Sequence, residues 1–512
     1  MSAAQQQDWR ELTPGMWVFG GGPVAAPAPP QAAATASRPP AAATPTPVTQ
    51  EVKVAAPWDL PSMAPAPGGV PRYYAESHTT WGVLLDRAVE RFGEREAVSA
   101  PEGKWSYREL GQRADDIARG LLRLGIGRGS QVALWMPTTP LSVAAQFALY
   151  KIGARLVAVP TDADRNGVER RLSHSRATAL LFQDNFWGWD QVNALDTVYG
   201  LCPEMESSAP GALGAARLPQ LKHIICTATQ AYAGAFTLDE IVEMGHQTTA
   251  EELSRAQGAV APNDPMQIMY LPDDGAALAP ILPHRMAAAL VPIAVDIMRL
   301  NAQDRLLVPP ASGPGFPVWT PLLASYVGAA MELPGRWEPG QILNSIQTAR
   351  VSALVGCDAL FSSLLDHPQS GSYDLSSLSK GLVLGTPASW QLVERMQRRG
   401  LSGIMNGYAT PELGLISLTM PSDGAERIAT TSGRALPHCR VRVVDTVSGR
   451  DMPGGQEGEV CVQSVYPGIH MMPGYYHNPE ATEQKLDKEG WFHTKDRGFV
   501  DSDGYLNIRG KA

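Results

Sequence analysis

The chain closes with Gly490-Trp-Phe-His-Thr-Lys-Asp-Arg-Gly-Phe-Val-Asp-Ser-Asp-Gly-Tyr-Leu-Asn-Ile-Arg-Gly-Lys-Ala512, the stretch that says most about its fold. The apolar run from Trp491 to Thr494 predicts a strand, and the polar run from Asp501 to Gly504 predicts a tight turn. A second strand is predicted for Tyr505 to Ile508. The pattern therefore places one acid, Asp496, directly after the first strand of a hairpin.

Two further short strands precede this hairpin, at Arg440 to Asp445 and Gly458 to Gln463. Turn-forming sequences such as Met452-Pro-Gly-Gly455 separate the strands. Short strands joined by tight turns are typical of a small antiparallel sheet or barrel. We therefore expect residues 431–512 to form a β-barrel-like subdomain.

Residues 58–430 alternate between helical and strand patterns. Thr80 to Phe92 and Tyr107 to Leu124 are predicted helices because their apolar residues recur at helical spacing. Such alternation is typical of parallel sheets that helices cover on both faces. We expect an α/β fold of two stacked α/β subdomains with mostly parallel sheets. The second would begin near Leu221 and contain a helix from Ala287 to Leu300.

The N-terminal residues differ in composition from the rest. Residues 1–20 contain an aromatic patch, and residues 21–57 are an Ala/Pro-rich linker in which Ala and Pro make up 21 of 37 positions. A linker of this composition stays extended and forms no core. Two interpretations stand side by side: residues 1–20 are a docking peptide for a protein partner, or they are a terminus with incidental aromatic residues.

Composition narrows the function classes. The apolar fraction of 44% and the charged fraction of 18% are those of a soluble globular protein. A net charge of -9 argues against nucleic-acid binding as the main function. No segment has the roughly 18 uninterrupted apolar residues of a membrane span, and the N-terminus lacks the pattern of a signal peptide. We therefore expect a cytoplasmic protein.

The five cysteines are widely spaced and include no C-x-x-C pair. We interpret them as reduced, mostly buried thiols rather than metal ligands.

Four stretches, taken in order, resemble the adenylate-forming (AMP-binding) superfamily. They are Ser106-Tyr-Arg-Glu-Leu110; Gly407-Tyr-Ala-Thr-Pro-Glu412; Gly433-Arg-Ala-Leu-Pro437, continuing to Gly474-Tyr-Tyr-His-Asn-Pro-Glu-Ala-Thr482; and the terminal stretch. The resemblance covers roughly residues 75–512 and is nearest to the acyl-CoA synthetase branch. In that family a carboxylic acid attacks ATP to form an acyl adenylate, and a thiol then takes the acyl group.

The resemblance implies roles for the residues that match the family motifs. Tyr408 would stack on adenine, and Asp496 would accept hydrogen bonds from the ribose hydroxyls. Glu412 would hold Mg²⁺ and so take part in catalysis. The nucleotide site would also include Gly385, Asn406, Gly407 and Lys511. Each residue also has an ordinary structural interpretation: Tyr408 as a core aromatic, Glu412 as an acid at a helix start and Asp496 as a turn residue.

An acyl pocket is implied at Ser312, Gly313, Thr386 and Pro387. The expected ligands are ATP or AMP with Mg²⁺, a small carboxylic acid or acyl group, and CoA.

The chain departs from the family most clearly at the phosphate loop. Where relatives have Thr-Ser-Gly-Thr-Thr-Gly-x-Pro-Lys-Gly, this chain has Leu271-Pro-Asp-Asp-Gly-Ala-Ala-Leu-Ala-Pro280. The lysine and the hydroxyl residues are absent, Asp273 and Asp274 have appeared, and Gly275 is retained. A like-charge pair about 4 Å apart costs roughly 4 kcal/mol near a protein surface. Two acids at this position would therefore weaken polyphosphate binding about a thousandfold.

Other departures point the same way. Pro411 replaces a Thr of the family motif, Lys495 stands where relatives have Gly, and Lys511 replaces an Arg that has a planar fork of donors. Relatives also continue, past the position of Ala512, into a small mobile domain that bears a catalytic lysine.

Three functions remain open from the sequence. The first is a catalytically silent ligand-binding or scaffold protein. The second is an active adenylating ligase whose C-terminal domain is supplied separately or was truncated. The third is a protein that binds an acid or an acyl thioester without ATP.

Overall fold

The computed structural model describes residues 9–13, 16–19, 70–187, 191–270, 278–309, 316–336, 338–385, 390–401, 403–466 and 468–511. In chain order, the strands are β1 (Trp9–Thr13), β2 (Met16–Phe19), β3 (Glu96–Ala100), β4 (Gly103–Ser106), β5 (Gln131–Trp135), β6 (Arg155–Ala158), β7 (Ala179–Phe182), β8 (Asn185–Trp187), β9 (Gln191–Asn193), β10 (His223–Cys226), β11 (Phe236–Thr237), β12 (Pro265–Ile268), β13 (Ile281–Pro283), β14 (Arg305–Leu307), β15 (Ala330–Glu332), β16 (Ala353–Gly356), β17 (Lys380–Leu384), β18 (Ile404–Thr410), β19 (Gly414–Leu418), β20 (Arg434–Ala435), β21 (Cys439–Val444), β22 (Gly458–Ser464), β23 (Trp491–Val500) and β24 (Leu506–Lys511). The helices are α1 (Arg72–Glu76), α2 (Trp81–Phe92), α3 (Tyr107–Arg123), α4 (Pro140–Lys151), α5 (Arg165–Ser175), α6 (Ala194–Leu201), α7 (Leu238–Gly245), α8 (Ala250–Gly258), α9 (His284–Ile297), α10 (Phe316–Val327), α11 (Pro339–Ala349), α12 (Asp358–Asp366), α13 (Trp390–Arg398), α14 (Gly424–Thr430) and α15 (Pro479–Lys485).

The first large sheet has seven strands in the order β11-β10-β7-β5-β6-β12-β13. All neighbours pair in parallel except β12 and β13. All four residues of β7 are buried, as expected for a parallel strand that is covered on both faces. The α/β prediction with mostly parallel sheets is confirmed.

The second large sheet has nine strands in the order β20-β19-β18-β17-β16-β14-β15-β3-β4. Strands β18, β17, β16, β14, β15 and β3 are parallel to one another. The prediction that a second layer begins near Leu221 was wrong. Strands β10 to β13 complete the first sheet, while the early hairpin β3–β4 joins the second sheet.

Local signals explain several element boundaries. Helix α3 begins after Ser106, whose hydroxyl accepts from the Glu109 N–H while the Glu109 carboxylate accepts from the Ser106 N–H. This reciprocal cap fixes the helix start. Helix α9 begins at His284, three residues before the predicted start at Ala287, and it continues through an internal proline, Pro292.

A small antiparallel sheet, in the order β21-β22-β23-β24, is formed by the C-terminal strands. Its strand order is linear, and within the described residues β21 and β24 do not pair to close a barrel. The chain before strand β23 also contacts the edge of the first sheet. The Tyr476 N–H donates to the carbonyl of Ala279, two residues before β13, at 2.8 Å.

At the N-terminus, β1 and β2 form an antiparallel pair inside the predicted docking peptide. The Ala/Pro-rich linker lies outside the described residues. Within the described parts of the chain, no helix combines the length and apolar character that crossing a bilayer requires.

Candidate nucleotide site

The candidate site lies where the nine-stranded sheet meets the small sheet. Parallel strands β17 and β18 run side by side, with Leu384 paired to Gly407 near their carboxyl ends. Ligands of open α/β sheets bind at the carboxyl ends of the strands. Tyr408 in β18 and Gly385 directly after β17 are therefore at the edge where a ligand is expected.

Tyr408 and Asp496 are joined across the two sheets. The Tyr408 hydroxyl donates to Asp496 Oδ2 at 2.5 Å, and both side chains are buried. Burial, together with the nearby Asp496 charge and this hydrogen bond, raises the pKa of Tyr408 well above its ordinary value. The phenol therefore remains protonated and acts as a donor. Through this bond, the motif that contains Tyr408 contacts the motif that contains Asp496.

A β-bulge aims Asp496 at the site. Between β22 and β23, Cys461 pairs with His493 but Glu459 pairs with Arg497, so β23 carries extra residues at this point. Bulges re-aim side chains next to functional sites. The prediction that Asp496 follows the end of a strand was wrong, because Asp496 lies inside β23, which continues to Val500.

Lys495 takes the left-handed conformation that the bulge requires, with φ +61°. Glycine adopts this conformation without strain, which agrees with the glycine that the family resemblance leads us to expect at this position. The Lys495 N–H donates to Glu459 Oε1 at 3.2 Å, and the Asp496 N–H donates to Thr494 Oγ1 at 3.0 Å. These two bonds satisfy the backbone donors of the bulge.

Lys511 lies opposite Asp496 in the β23–β24 ladder. Its Nζ is 3.0 Å from Asp496 Oδ1, and its side chain is 79% exposed. An exposed ion pair of this kind contributes about 1 kcal/mol or less. In this structure the two carboxylate oxygens of Asp496 therefore contact Tyr408 and Lys511.

Glu412 supplies a second buried carboxylate on the turn between β18 and β19. Its Oε1 accepts from the Tyr475 hydroxyl at 2.7 Å, and its carbonyl accepts from the Met472 N–H at 2.7 Å. A carboxylate held this way has a second oxygen that could meet a hard cation such as Mg²⁺. This role of Glu412 stays a prediction.

Lys485 on α15 was missed by the sequence analysis. Its Nζ donates to the Thr494 carbonyl at 3.3 Å, two residues before Asp496. Burial lowers the pKa of Lys485, and the charges of Glu412 and Asp496 oppose that shift. In the sequence, Lys485 is a lysine in the last turn of a short helix. That pattern does not by itself indicate that the residue lies near a site.

Asn406 and Gly407 support the site from beneath. Asn406 is fully buried, and its amide donates to the carbonyls of Ile428 at 3.2 Å and Thr431 at 2.9 Å. A Cβ at Gly407 would lie 2.2 Å from a Leu418 methyl, so this position requires glycine for packing against β19. Gly385, by contrast, is exposed with φ +121°, and a Cβ placed there would have no neighbour within 4 Å among the residues that the structure describes.

His284 has a structural role. It is fully buried, and its Nδ1 accepts from the Trp81 N–H at 3.3 Å, at the start of α2. Burial lowers the pKa of His284 to about 4, so it stays neutral.

Several predicted site residues lie outside the described residues. They are Asp273, Asp274 and Gly275 of the phosphate loop, and Ser312, Gly313, Thr386 and Pro387 of the acyl pocket. Their assignments stay predictions.

The family follows from comparison with known sequences. The profile of the family described as AMP-binding enzyme matches residues 85–270 and 281–476. The chain belongs to the AMP-binding enzyme family. Among curated relatives of this AMP-binding protein is the acyl-CoA synthetase-like protein YngI of Bacillus subtilis (strain 168). It is 30% identical over 440 residues, which are 85% of this chain and 79% of YngI. The medium-chain acyl-CoA ligase ACSF2, mitochondrial, of Homo sapiens is 27% identical over 445 residues, covering 85% of this chain and 71% of ACSF2.

Solved structures share the fold. The N-terminal domain of FACL13 from Mycobacterium tuberculosis has a TM-score of 0.68 at 22% identity, covering 84% of this chain and all of that domain. ATP-bound MatB from Rhodopseudomonas palustris has a TM-score of 0.64 at 18% identity, covering 85% of this chain and 79% of MatB. The AMP-binding protein is therefore acyl-CoA synthetase-like in sequence and in fold.

Proposed function

We propose that this AMP-binding protein holds an adenosine monophosphate unit, either AMP or an acyl adenylate, and that it is catalytically impaired with ATP. The observation that carries the proposal is the bond between Tyr408 and Asp496, which unites an aromatic face and a carboxylate at the carboxyl edge of a parallel sheet. Adenine needs an apolar face, and ribose hydroxyls need an acceptor. In our proposal, Tyr408 supplies the face and Asp496 supplies the acceptor.

We infer impaired catalysis from residues 271–280, which are predicted to be the phosphate loop. Phosphoryl transfer depends chiefly on positioning phosphates and neutralising their charge. Residues 271–280 contain Asp273 and Asp274 and no lysine, arginine, serine or threonine. This composition favours ligands with few phosphate charges over ATP.

The proposed role is that of a ligand-binding or scaffold protein recruited through residues 1–20. The pairing of β1 with β2 gives that segment a defined backbone before the Ala/Pro-rich linker. If the segment is a separate recruiting element, deleting residues 1–57 leaves AMP affinity unchanged. A loss of AMP affinity on this deletion would contradict the separation.

The test of impairment is pyrophosphate release. Purified protein with Mg²⁺, ATP and each acid of a broad panel of carboxylic acids is expected to release pyrophosphate no faster than the same mixture without the protein. Release with any acid would overturn the proposal.

A second candidate is an active acid–thiol ligase that works with a C-terminal domain supplied separately or removed by truncation. The observation that favours it is the buried Glu412, held by Tyr475 beside the nucleotide pair. This candidate requires that the reading frame continue beyond Ala512, or that a neighbouring frame encode a lysine-bearing domain of about 100 residues. Adding that domain would then restore pyrophosphate release and acyl transfer to CoA.

A further inference from the structure

A cluster of three potential metal ligands lies in the small sheet, where Glu459 and Cys461 are buried and His493 is partly exposed. In β22, Val460 and Val462 point into the core, so Glu459 and Cys461 share the opposite face. His493 pairs with Cys461 on the neighbouring strand. The side chains of Thr494 and Asp496 point to the other face of β23, so this cluster and the nucleotide site lie on opposite faces of one strand.

The donor atoms are already close together. His493 Nδ1 is 3.5 Å from Cys461 Sγ and 3.2 Å from Glu459 Oε2, and the three ligand atoms all lie within 4.8 Å of one another. A tetrahedral Zn²⁺ ion has bonds of about 2.3 Å to sulfur and about 2.0 Å to nitrogen and oxygen. Those bonds separate the donor atoms by about 3.3 to 3.6 Å. The two His493 distances therefore match the edges of such a site.

A carboxylate also lies near the other nitrogen of His493. Asp487 Oδ2 is 3.6 Å from His493 Nε2. Asp487 Oδ1 in turn accepts from the Trp491 N–H at 2.8 Å. Histidines that bind metals commonly donate their second N–H to a carboxylate, which orients the ring.

Two cations border the cluster, and one of them, Arg442, also contacts Cys461, its partner across the β21–β22 ladder. Lys495 Nζ is 3.3 Å from Glu459 Oε1, and Arg442 Nη2 is 3.3 Å from Asp487 Oδ2. Both contacts use oxygens other than Glu459 Oε2. The Lys495 side chain is 54% exposed and can move aside when an ion enters.

We propose that Glu459, Cys461 and His493 form a Zn²⁺ site with one coordination position open. A thiolate, an imidazole and a carboxylate together suit Zn²⁺ better than Mg²⁺ or Ca²⁺, which prefer oxygen ligands. Because Glu459 also accepts the Lys495 N–H, bound Zn²⁺ would rigidify the bulge that aims Asp496. The site is distinct from the nucleotide site and does not depend on the function proposed for it.

Cobalt(II) titration of the full-length, tag-free chain tests the site. After treatment with a chelator and its removal, we expect one Co²⁺ per chain and the ultraviolet charge-transfer absorption of a cobalt–thiolate bond, which Zn²⁺ then abolishes. Cys461→Ser should remove the absorption, and His493→Gln should weaken Co²⁺ binding at least about tenfold, as each removes one of the three ligands. Cys357→Ser is the matched control, since Cys357 is an exposed thiol away from this sheet and its loss should change nothing.

A gain-of-affinity variant keeps the test decisive if Cys461→Ser does not fold. Lys495→Met removes the cation that competes for Glu459 and should tighten Co²⁺ binding about tenfold. Absence of the absorption in both the wild type and Lys495→Met would overturn the proposal and leave His493 as an ion-pair partner of Glu459 and Asp487. Absorption that survives in Cys461→Ser and disappears in Cys357→Ser would overturn it as well.

Discussion

The ribose side and the phosphate side of the candidate site differ in what their residues offer a nucleotide. On the ribose side, Tyr408, Asp496 and Lys511 are linked by contacts of 2.5 and 3.0 Å. On the phosphate side, residues 271–280, predicted to be the phosphate loop, contain Asp273 and Asp274 and no lysine or hydroxyl residue. In our proposal, one half of the site keeps groups that suit a nucleotide, while the other half carries negative charge where phosphates would lie.

Residues on the ribose side also contribute to the packing of the fold. Tyr408 belongs to the main hydrophobic core, and Gly407 beside it is required by the packing of β19. Packing therefore accounts for these residues whether or not a ligand binds, and ligand affinity has to be measured on each side separately.

The largest expected effect is a loss of folding stability at low pH. This loss limits the pH range in which ligand binding on the two sides of the site can be compared. Burial lowers the pKa of both His284 and His438 to about 4. The pKa of an unfolded histidine is about 6.5, so below that pH the unfolded chain takes up protons that the folded chain refuses. Each histidine contributes about 3 kcal/mol of stability above pH 6.5 or so, which is lost progressively as the pH falls to about 4.

Urea denaturation at pH 7.5 and pH 4.5 measures this loss. His438→Gln should flatten the pH dependence, while His246→Gln should not, because the His246 side chain is 65% exposed. Equal stability at the two pH values would show that these histidines are not buried as neutral groups.

The next effect addresses the phosphate side. Replacing the two acids together, as Asp273→Ser with Asp274→Ser, removes like charges from the place where phosphates are expected. A charge pair of this kind is worth roughly 4 kcal/mol near a surface, so Mg–ATP affinity should rise by up to about a thousandfold. Calorimetry checks this, with AMP affinity expected to change much less. An unchanged ATP affinity would mean that the two acids do not oppose phosphate binding.

The ribose side should respond in the opposite direction. Asp496→Ala removes the acceptor of two charge-assisted hydrogen bonds to ribose, and AMP affinity should fall about a hundredfold. Asp503→Ala is the control, because Asp503 is an exposed acid of the same hairpin that pairs with Arg427. Equal AMP affinity in the wild type and Asp496→Ala would remove Asp496 from the site.

The smallest expected effect is on stability and concerns the backbone conformation of Lys495 in the bulge. Lys495→Gly relieves a left-handed conformation that costs a non-glycine residue about 1–2 kcal/mol, but it adds chain entropy to the unfolded state and loses an exposed ion pair. The free energy of unfolding should therefore rise by only about 0.5 kcal/mol. Lys488→Gly, in an exposed turn without positive φ, should lower it. A Lys495→Gly variant less stable than Lys488→Gly would contradict the strain argument.

Periodicity predicted the elements well but not their places in the sheets. The helices at Trp81–Phe92 and Tyr107–Arg123 were predicted within a residue or so because their apolar spacing is a local signal, as is the Ser106 cap of the second helix. The transfer of β3 and β4 to the second sheet depends on pairing over more than two hundred residues, which spacing cannot reveal.

The site was predictable only in part for the same reason. Motifs identified Tyr408 and Asp496, but not their direct contact. The bulge at Lys495 arises from register between β22 and β23, and the partners of Glu412 and Asn406 come from distant segments. Such tertiary contacts leave no pattern in the neighbouring sequence.

The most direct test of the account is a side-by-side calorimetric titration of the wild-type chain with AMP and with Mg–ATP at pH 7.5. Our account predicts that AMP binds and that Mg–ATP binds no more tightly than AMP, since the phosphate side adds repulsion rather than contacts. Mg–ATP binding at least about tenfold tighter than AMP, which corresponds to about 1.4 kcal/mol of favourable phosphate contacts, would contradict it.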